Sequence, residues 1–455
     1  MANLGALSSL GIGSGTLTYD IIDKLKNADK AAMITPIDNK ISEVKQKESS
    51  LTTLTTLTAT LKTAVIDLSD SAFFEKRKVN VSGSDVSVKA NDGVAVQDIN
   101  MTINQLAQTD INQSKGFASE TSSVVDTDTT MTIDIDGNTY SIDVKAGTTL
   151  EELRDQINNA TEGEVVASIL NTGNTDPYSL ILKSSATGEN QAISVSYDAD
   201  DGDDDDDDDF LNLTNVQPAQ DAKFKFNGVD ITRSTNTIED LVVGVTFELT
   251  AASGSENRIS IQQDVEGIAD MVSEFVSAYN SWNSNITEVT KFDPEGGSTG
   301  VFQGDSTVRR LLSDVKYALF NSQVDGKGAG TYGITVNKDG ILSFDRTTFI
   351  NELNSDPAKV KEVFTSDTGG VFSSLNDVLK NATDSSTGYL GIYEEQLKTE
   401  ESHLSDERER SLEILNKRYE IMALQFAAYD EMINSMNNAY QSLQMAIDSQ
   451  LASKK

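Results

Sequence analysis

The chain has 455 residues, a formal net charge of −36, no cysteine and a single histidine. This excess of acid disfavours nucleic acid and anionic membranes as partners, because phosphate binding requires clustered Lys and Arg. The absence of cysteine excludes disulfides, thiolate metal sites and a thiol nucleophile. The length predicts about three domains.

The amino-acid composition and the apolar spacing of the N-terminal region change near residue 16. The first 15 residues are rich in Gly, Ser, Ala and Leu without helical spacing, which predicts a flexible arm. From Thr16 to Ser82 there is no Gly and one proline, Pro36, and apolar residues recur at helical spacing, which predicts a long helix to about residue 75. No basic region followed by a continuous apolar segment opens the chain, so we expect no Sec signal peptide. No apolar run approaches the roughly 20 residues of a transmembrane helix.

A β pattern begins at Lys78 and continues to about residue 265. Apolar residues that alternate with polar ones, or form short runs, predict strands. These segments are 79–81, 86–88, 99–103, 131–135, 140–144, 165–169, 179–182, 193–197, 223–226 and 242–249. The Asp136-Gly137-Asn138 turn predicts a hairpin with positive φ. Thr149, as an N-cap with Glu152 three residues later, predicts a short helix over 148–159.

The period becomes helical again near Val265. Apolar residues step by three and four from Val265 to Val289, and we expect this face to belong to the core of the chain itself. A helix from about Asp305 to Phe320 should follow. A hairpin of Ile334–Val336 and Ile341–Phe344 and then two short helices are also expected.

An apolar stripe with 4–3 spacing runs from Leu415 to Leu451, in a region without Gly or Pro. This period is typical of a helix that packs along a helical partner. A chain that begins and ends in long amphipathic helices should pair its two ends and share them with other subunits. Because the stripe from Tyr429 onward has little of its own chain to cover it, we expect it to be disordered alone and ordered by assembly.

The layout predicts an α+β fold: a helical coiled-coil stalk formed by the N- and C-terminal segments, with an inserted two-domain β-rich head. The predicted parts are terminal segments 1–36 and 425–455, flexible alone; a helical stalk 37–78 and 266–424; an inner β domain 79–115 and 222–265; and an outer β domain 116–221.

Few residues suggest catalysis. His403 lies in a highly charged segment, so we expect it to be a solvated surface residue, and one histidine forms no His-based metal site. Glycoside hydrolysis needs only two carboxylates, but the single tryptophan, Trp282, lies on the 265–289 stripe and not on a sugar platform. We therefore expect no enzyme, no cofactor and no metal site.

Ten of the twelve residues from Asp198 to Asp209 are aspartate. Carboxylates suit Ca²⁺, but the run has no alternating ligand pattern and no glycine at an EF-hand position. A solvated loop held open by the repulsion between its charges is the favoured interpretation.

Seven short motifs occur in order along nearly the whole chain. They are Ser9–Gly15; Tyr19–Ile22 leading to Pro36; Ile103–Gln108; Phe226–Gly228 with Thr235–Ile238; Phe275–Asn280; Gly304–Arg309; and Tyr332–Thr335 through Asp339–Leu342. Together they resemble the flagellar filament cap family, also called FliD or hook-associated protein 2. The aspartate run matches no motif of that family.

The resemblance implies a homo-oligomeric ring at the distal tip of the flagellar filament, beneath which exported flagellin folds and is inserted. It implies three further partners: flagellin, the hook–filament junction proteins, and a cytoplasmic export chaperone on the C-terminal helix. It also implies secretion by the flagellar type III apparatus, which needs no signal peptide.

Apolar residues of both chain ends form the predicted oligomer and filament interface. They are Leu10, Ile12, Ile21, Ile22, Tyr429, Ile433, Met436, Tyr440, Leu443, Ile447 and Leu451. An adhesin whose β head binds host surface glycans is the alternative function, and flagellin itself is a second structural alternative. The hairpin around Asp339 and the central β insertion favour the cap.

Overall fold

The two ends of the chain fold together into one unit. The computed structural model of the protein describes residues 18–199, 209–292 and 299–452. A helical unit comprises the chain up to Ser71 and from Ala269 onward, and a β-rich unit comprises residues 72–268. The predicted α+β class, with helical terminal segments and an inserted β-rich region, is confirmed.

Helices form where apolar residues recur every three or four positions. In chain order they are α1 (Tyr19–Met33), α2 (Thr35–Ser69), α3 (Leu150–Ala160), α4 (Val265–Thr290), α5 (Ser306–Asn321), α6 (Arg346–Ser355), α7 (Pro357–Thr365), α8 (Val371–Thr383) and α9 (Tyr389–Ala452). Helix α3 lies in the β-rich unit.

The predicted N-terminal helix is interrupted at Ile34, which separates α1 from α2. Proline has no N–H to donate to the preceding turn, so Pro36 is tolerated only in the first turn of a new helix, where it lies at the start of α2. The segment predicted to be helical to about residue 75 is therefore divided into two α-helices, and α2 ends at Ser69.

The stripe on α4 is buried inside the helical unit, as predicted. Its members Val272, Phe275, Tyr279, Trp282 and Ile286 are all fully buried. The indole Nε1 of Trp282 donates a hydrogen bond of 3.1 Å to Oγ1 of Thr58 on α2. Because Trp282 is the only tryptophan of the chain, its fluorescence reports on the helical unit alone.

Two sets of sheets build the β-rich unit. Its strands are β1 (Arg77–Ser82), β2 (Val86–Ala90), β3 (Gln97–Gln105), β4 (Ile111–Gln113), β5 (Thr129–Ile135), β6 (Asn138–Val144), β7 (Val165–Asn171), β8 (Tyr178–Ser184), β9 (Ser194–Ala199), β10 (Thr214–Gln217), β11 (Ala222–Phe226), β12 (Val229–Arg233), β13 (Thr237–Val242), β14 (Val245–Leu249) and β15 (Glu256–Gln263). Sheets of order β1-β15-β3-β11-β12 and β13-β14-β2 contribute to one core. Sheets of order β10-β4-β8-β7 and β6-β5-β9 contribute, with α3, to a second core.

Local turn chemistry is as expected at two places. Asp136 and Gly137 take φ of 50° and 80° in the two-residue turn between β5 and β6. Thr149 and Glu152 form a reciprocal capping box at the start of α3. The second-half hairpin, β16 (Ile334–Val336) with β17 (Leu342–Phe344), is also confirmed.

Two boundaries differ from the sequence expectation. The strand predicted over 242–249 is the end of β13 and the whole of β14, joined by a turn in which Gly244 takes a φ of 79° that L side chains rarely adopt. Three short helices, and not two, precede α9, because Pro357 ends α6 and begins α7, with Asp356 capping α7 through the backbone N–H of Lys359.

A buried carboxylate joins distant segments of the second β core. Asp110 is 1% exposed. Its carboxylate accepts hydrogen bonds from Nδ2 of Asn112, Nδ2 of Asn215 (2.8 Å), the backbone N of Ile193 (3.1 Å) and the backbone N of Ala219 (2.9 Å). One side chain thus holds together residues from three separate stretches of sequence.

The remaining sequence predictions concern the single histidine, the aspartate run, metal sites and membrane-spanning helices. His403 is exposed on α9, as expected. Residues 200–208 of the aspartate run lie outside the described residues. Among the described residues, no group of three or more His, Cys, Asp or Glu side chains is placed to hold a metal ion. In the same ranges no helix combines the length and apolarity needed to cross a bilayer.

Candidate assembly interface

The N-terminal helices pair with α9 in an antiparallel arrangement, which confirms the predicted pairing of the chain ends. Arg418 contacts Asp29 at 3.2 Å, and Arg408 contacts Asp38. Farther along, Lys45 contacts Glu401 at 3.2 Å. Residues later in the sequence of α1 and α2 thus contact residues earlier in α9, which is the order expected of antiparallel helices.

An apolar cluster seals the end of this pairing that lies nearest the chain termini. Ile22 and Ile34 pack against Leu415, Tyr419 and Ala423 of α9. The hydroxyl of Tyr419 donates a hydrogen bond of 2.9 Å to the carboxylate of Asp29. Burial and this hydrogen bond raise the pKa of Tyr419.

Beyond this cluster the stripe of α9 is uncovered. The antiparallel register brings Thr18, the first described residue, level with the turn that precedes Tyr429. Leu415 is 1% exposed and Tyr419 5%, whereas Tyr440 is 66% and Leu443 60% exposed. The exposed fraction rises because, beyond the level of Thr18, the described part of the chain has no helix that packs against α9.

The exposed part of the stripe is large enough to be an interaction surface. Its exposed apolar members are Tyr429, Met436, Tyr440, Leu443 and Ile447, and the exposed Met432 lies beside it. Contiguous apolar patches of this kind mark interfaces on soluble proteins. Burying one such side chain against a partner contributes roughly 1.5–3 kcal/mol.

The predicted interface residues fall into three groups. Leu10 and Ile12, and the side chain of Leu451, lie outside the described residues. Tyr429, Met436, Tyr440, Leu443 and Ile447 are exposed, and Ile433 is half-buried. Ile21 is 38% exposed, while Ile22 is covered by its own chain at 5%. The contact of all these residues with partners stays a prediction.

A charged residue that the sequence analysis did not single out lies in the helix pairing. Oε1 of Glu48 on α2 is buried without a hydrogen-bond partner in the described structure. Burial, followed by the nearby Glu401 carboxylate, raises the pKa of Glu48. The signal was present in the sequence, because Glu48 falls between Val44 and Leu51 at the same 4–3 spacing.

We expect Glu48→Gln to stabilise the helical unit at pH 7. A carboxyl whose pKa is raised by folding opposes folding while it is ionised, so stability decreases as the pH rises through that pKa. Gln resembles the protonated form, and its advantage should shrink as the pH falls through the pKa of Glu48. Urea unfolding followed by Trp282 fluorescence at pH 7 and pH 5 measures this. Glu43→Gln, at an exposed position of the same helix, is the control, and an equal effect of both variants would contradict the prediction.

Both ends of the chain share one helical unit, a β-rich unit is inserted between them, and the terminal helix presents an apolar stripe that its own described chain leaves open. These features are typical of a structural protein that assembles with partners through an exposed helix face.

Known families match along most of the chain. Residues 14–110 match the flagellar hook-associated protein 2 N-terminus and residues 219–438 its C-terminus. Residues 123–186 match the flagellin hook IN motif. The chain therefore belongs to the flagellar hook-associated protein 2 family, the family of the flagellar cap proteins called FliD.

Individual relatives agree with this assignment. Flagellar hook-associated protein 2 of Campylobacter jejuni is 36% identical over 79% of this chain, which spans 64% of that relative's length. The protein of the same name from Escherichia coli K12 is 28% identical over 99% of this chain and 100% of the relative. The crystal structure of the flagellar cap protein FliD D1-D2-D3 domains from E. coli matches with a TM-score of 0.62 and 26% identity, over 77% of this chain and 99% of that one. The filament-capping interpretation is confirmed at the level of the family, and the adhesin alternative is not favoured.

Proposed function

We propose that the protein caps the flagellar filament as a homo-oligomeric ring and promotes the folding and insertion of exported flagellin beneath it. The observation that carries this proposal is the exposed stripe from Tyr429 to Ile447, an interface that the described chain does not cover. Membership of the cap family supplies the context in which such a stripe meets other subunits.

The chemistry of the stripe suits a cap that must hold its place and still rearrange. Apolar contacts are non-directional, so several subunit arrangements bury similar areas. Met432 and Met436 add unbranched side chains that adapt to differently shaped partners. The ion pairs of Asp29 and Asp38 with α9 hold the base of the stripe while its outer part exchanges partners.

The proposal includes the partners that the family resemblance implied. These are flagellin, the hook–filament junction proteins and a cytoplasmic export chaperone on the C-terminal helix. It places the protein at the distal tip of the filament after export by the flagellar type III apparatus. It assigns no bond chemistry to the chain.

We also propose the domain boundaries predicted above. The break at Ile34 supports a limit near residue 36 between a terminal segment and the helical domain. The two separate apolar cores of the β-rich unit support an inner and an outer β domain.

The stripe can be tested with paired charges in cells that lack their own cap protein. Tyr440→Asp with Leu443→Asp places two carboxylates on the apolar face, where burial of an unpaired charge is costly. Such cells should lose motility and release unpolymerised flagellin into the medium.

The matched control is Asn438→Asp with Ser442→Asp, which adds the same charge. At about 100° of rotation per residue, these exposed positions face away from Tyr440 and Leu443. Swimming and soluble flagellin should stay near wild type, and the medium should contain each cap variant, which shows that it was exported. Equal motility of both double variants would contradict the proposed function of the stripe.

A further inference from the structure

A cavity of about 540 Å³ opens on the helical unit between the end of α4, helix α5 and the β16–β17 hairpin. Three lysines line it: Lys291, Lys316 and Lys338. Lys291 pairs with Glu288 at 2.6 Å, but Lys316 and Lys338 have no ion-pair partner among the described residues. Asp339 also lines the cavity, so three lysines and one aspartate give the lining a positive formal charge in a chain of net charge −36.

A second unsatisfied group lies beside Gly340, behind the wall of the cavity. Asn283 is 1% exposed, and its Oδ1 has no hydrogen-bond partner in the described structure. A Cβ on Gly340, which lines the cavity, would lie 3.2 Å from this oxygen and 3.3 Å from Nζ of Lys316. The amide and the ammonium therefore approach the same small part of the cavity wall. Buried polar groups without partners are uncommon in folded chains, and here one adjoins an open cavity.

Apolar side chains accompany these polar groups. Leu312, Phe320 and Val336 also line the cavity, and Val336 is 43% exposed. Phe292 and Tyr317, each next in sequence to one of the lysines, are exposed as well. Aromatic side chains such as Phe292, Tyr317 and Phe320 are enriched at protein interfaces.

A surface of opposite character lies on the same unit. Glu400 and Glu407 are two helical turns apart on α9, so they share a face. Both are exposed, and neither has an ion-pair partner within the described ranges. Each copy of the chain therefore carries an unpaired cationic cavity and an unpaired acidic helix face.

We propose that the lysine cavity receives the acidic face of α9 from a neighbouring copy, in a head-to-tail contact between helical units. The inference rests on the proposed function, because a ring closes through two different, complementary surfaces on each copy. In this contact Lys316 and Lys338 bind the carboxylates of Glu400 and Glu407. The apolar rim excludes water from the ion pairs and strengthens them.

Charge exchange tests the contact in the full-length protein. The cavity variant carries Lys316→Glu and Lys338→Glu, and the helix variant carries Glu400→Lys and Glu407→Lys. Sedimentation velocity at low salt should show subunit association weakened about tenfold or more in each variant. An equimolar mixture of the two, and a chain with all four changes, should associate as wild type, because every cavity then meets a helix face of opposite charge.

Two controls distinguish loss of the proposed contact from a general effect of charge and from misfolding. Lys40→Glu with Lys78→Glu makes the same charge change at exposed positions elsewhere and should leave association unchanged. If Trp282 fluorescence shows that the cavity variant is misfolded, Lys316→Gln with Lys338→Gln replaces it.

Wild-type association of a folded cavity variant overturns the proposal. Weakened association that neither the mixture nor the fourfold variant restores also overturns it, because the partner of the cavity would then be another group. Neither result bears on the function of the stripe, because the Tyr440 and Leu443 variants are tested separately. Their readouts are motility and the amount of soluble flagellin in the medium. Failure of the contact is thereby separated from failure of the capping function.

Discussion

Deleting residues 430–455 is expected to abolish motility and to release unpolymerised flagellin into the medium, while the protein remains folded. The deletion removes the exposed members of the stripe from Met436 onward. It keeps the cluster of Ile22 with Leu415 and Tyr419, which holds the end of the helix pairing. Assembly is lost because the exposed stripe beyond Tyr429 is removed, whereas the cluster of Ile22 with Leu415 and Tyr419 still holds α1 against α9.

Cells that make the full-length chain in the same background are the control. Swimming distance and the amount of flagellin left in the supernatant after filaments are sedimented give the result. For the purified deletion variant, Trp282 fluorescence should match that of the full chain, since Trp282 packs near Thr58 and far in sequence from the deleted helix. Filaments of normal length in the deletion strain would overturn both the capping mechanism and the importance of the stripe.

Replacing Asp110 by Ala is expected to destabilise the β-rich unit by about 3 kcal/mol or more, because it removes one buried acceptor that serves several donors. The change leaves four donors without an acceptor, two of them the backbone N–H groups of Ile193 and Ala219. Each buried donor that loses its partner costs about 1–3 kcal/mol. Asp110→Asn should also destabilise, because its amide presents donors to donors.

Hydrogen exchange of the full chain localises the effect. Amides near Asn112, Ile193 and Ala219 should exchange faster in the Asp110 variant, while amides of α4 in the helical unit should not. Asp230→Ala is the control, since Asp230 is a largely exposed carboxylate that pairs with Lys225 at 2.9 Å. Its loss should fall within the small range of ordinary surface substitutions. Unchanged exchange at Ile193 and Ala219 in the Asp110 variant would show that the carboxylate does not hold these segments.

Several elements could be predicted from the sequence because their causes are local. The helical period of α4 and α9 is a property of neighbouring turns, so it is visible without knowing the partner. The positive φ of Gly137 and the capping box of Thr149 likewise depend on residues within four positions. The break at Ile34 also has a local cause in Pro36, although the apolar spacing on both sides concealed it.

The pairing of strands could not be read in the same way. Strand β1 pairs with β15, which is almost the whole β-rich unit away in sequence, and β4 lies between β8 and β10. Short strands such as β4 and β10 carry too few residues for a period of two to stand out. Their positions follow from which apolar faces fit together in two separate cores, and that fit involves contacts across the whole unit.

The sequence by itself determined the family, the helical ends, the β-rich insertion and the presence of an apolar stripe near the C-terminus. Only the tertiary structure decided that the stripe is covered up to Phe426 and open from Tyr429, that Asp110 and one carboxylate oxygen of Glu48 are buried, and that Lys316 and Lys338 share a cavity. The physical reason is that propensity and period act between neighbours in the chain. Burial and electrostatics depend on what every other segment places nearby.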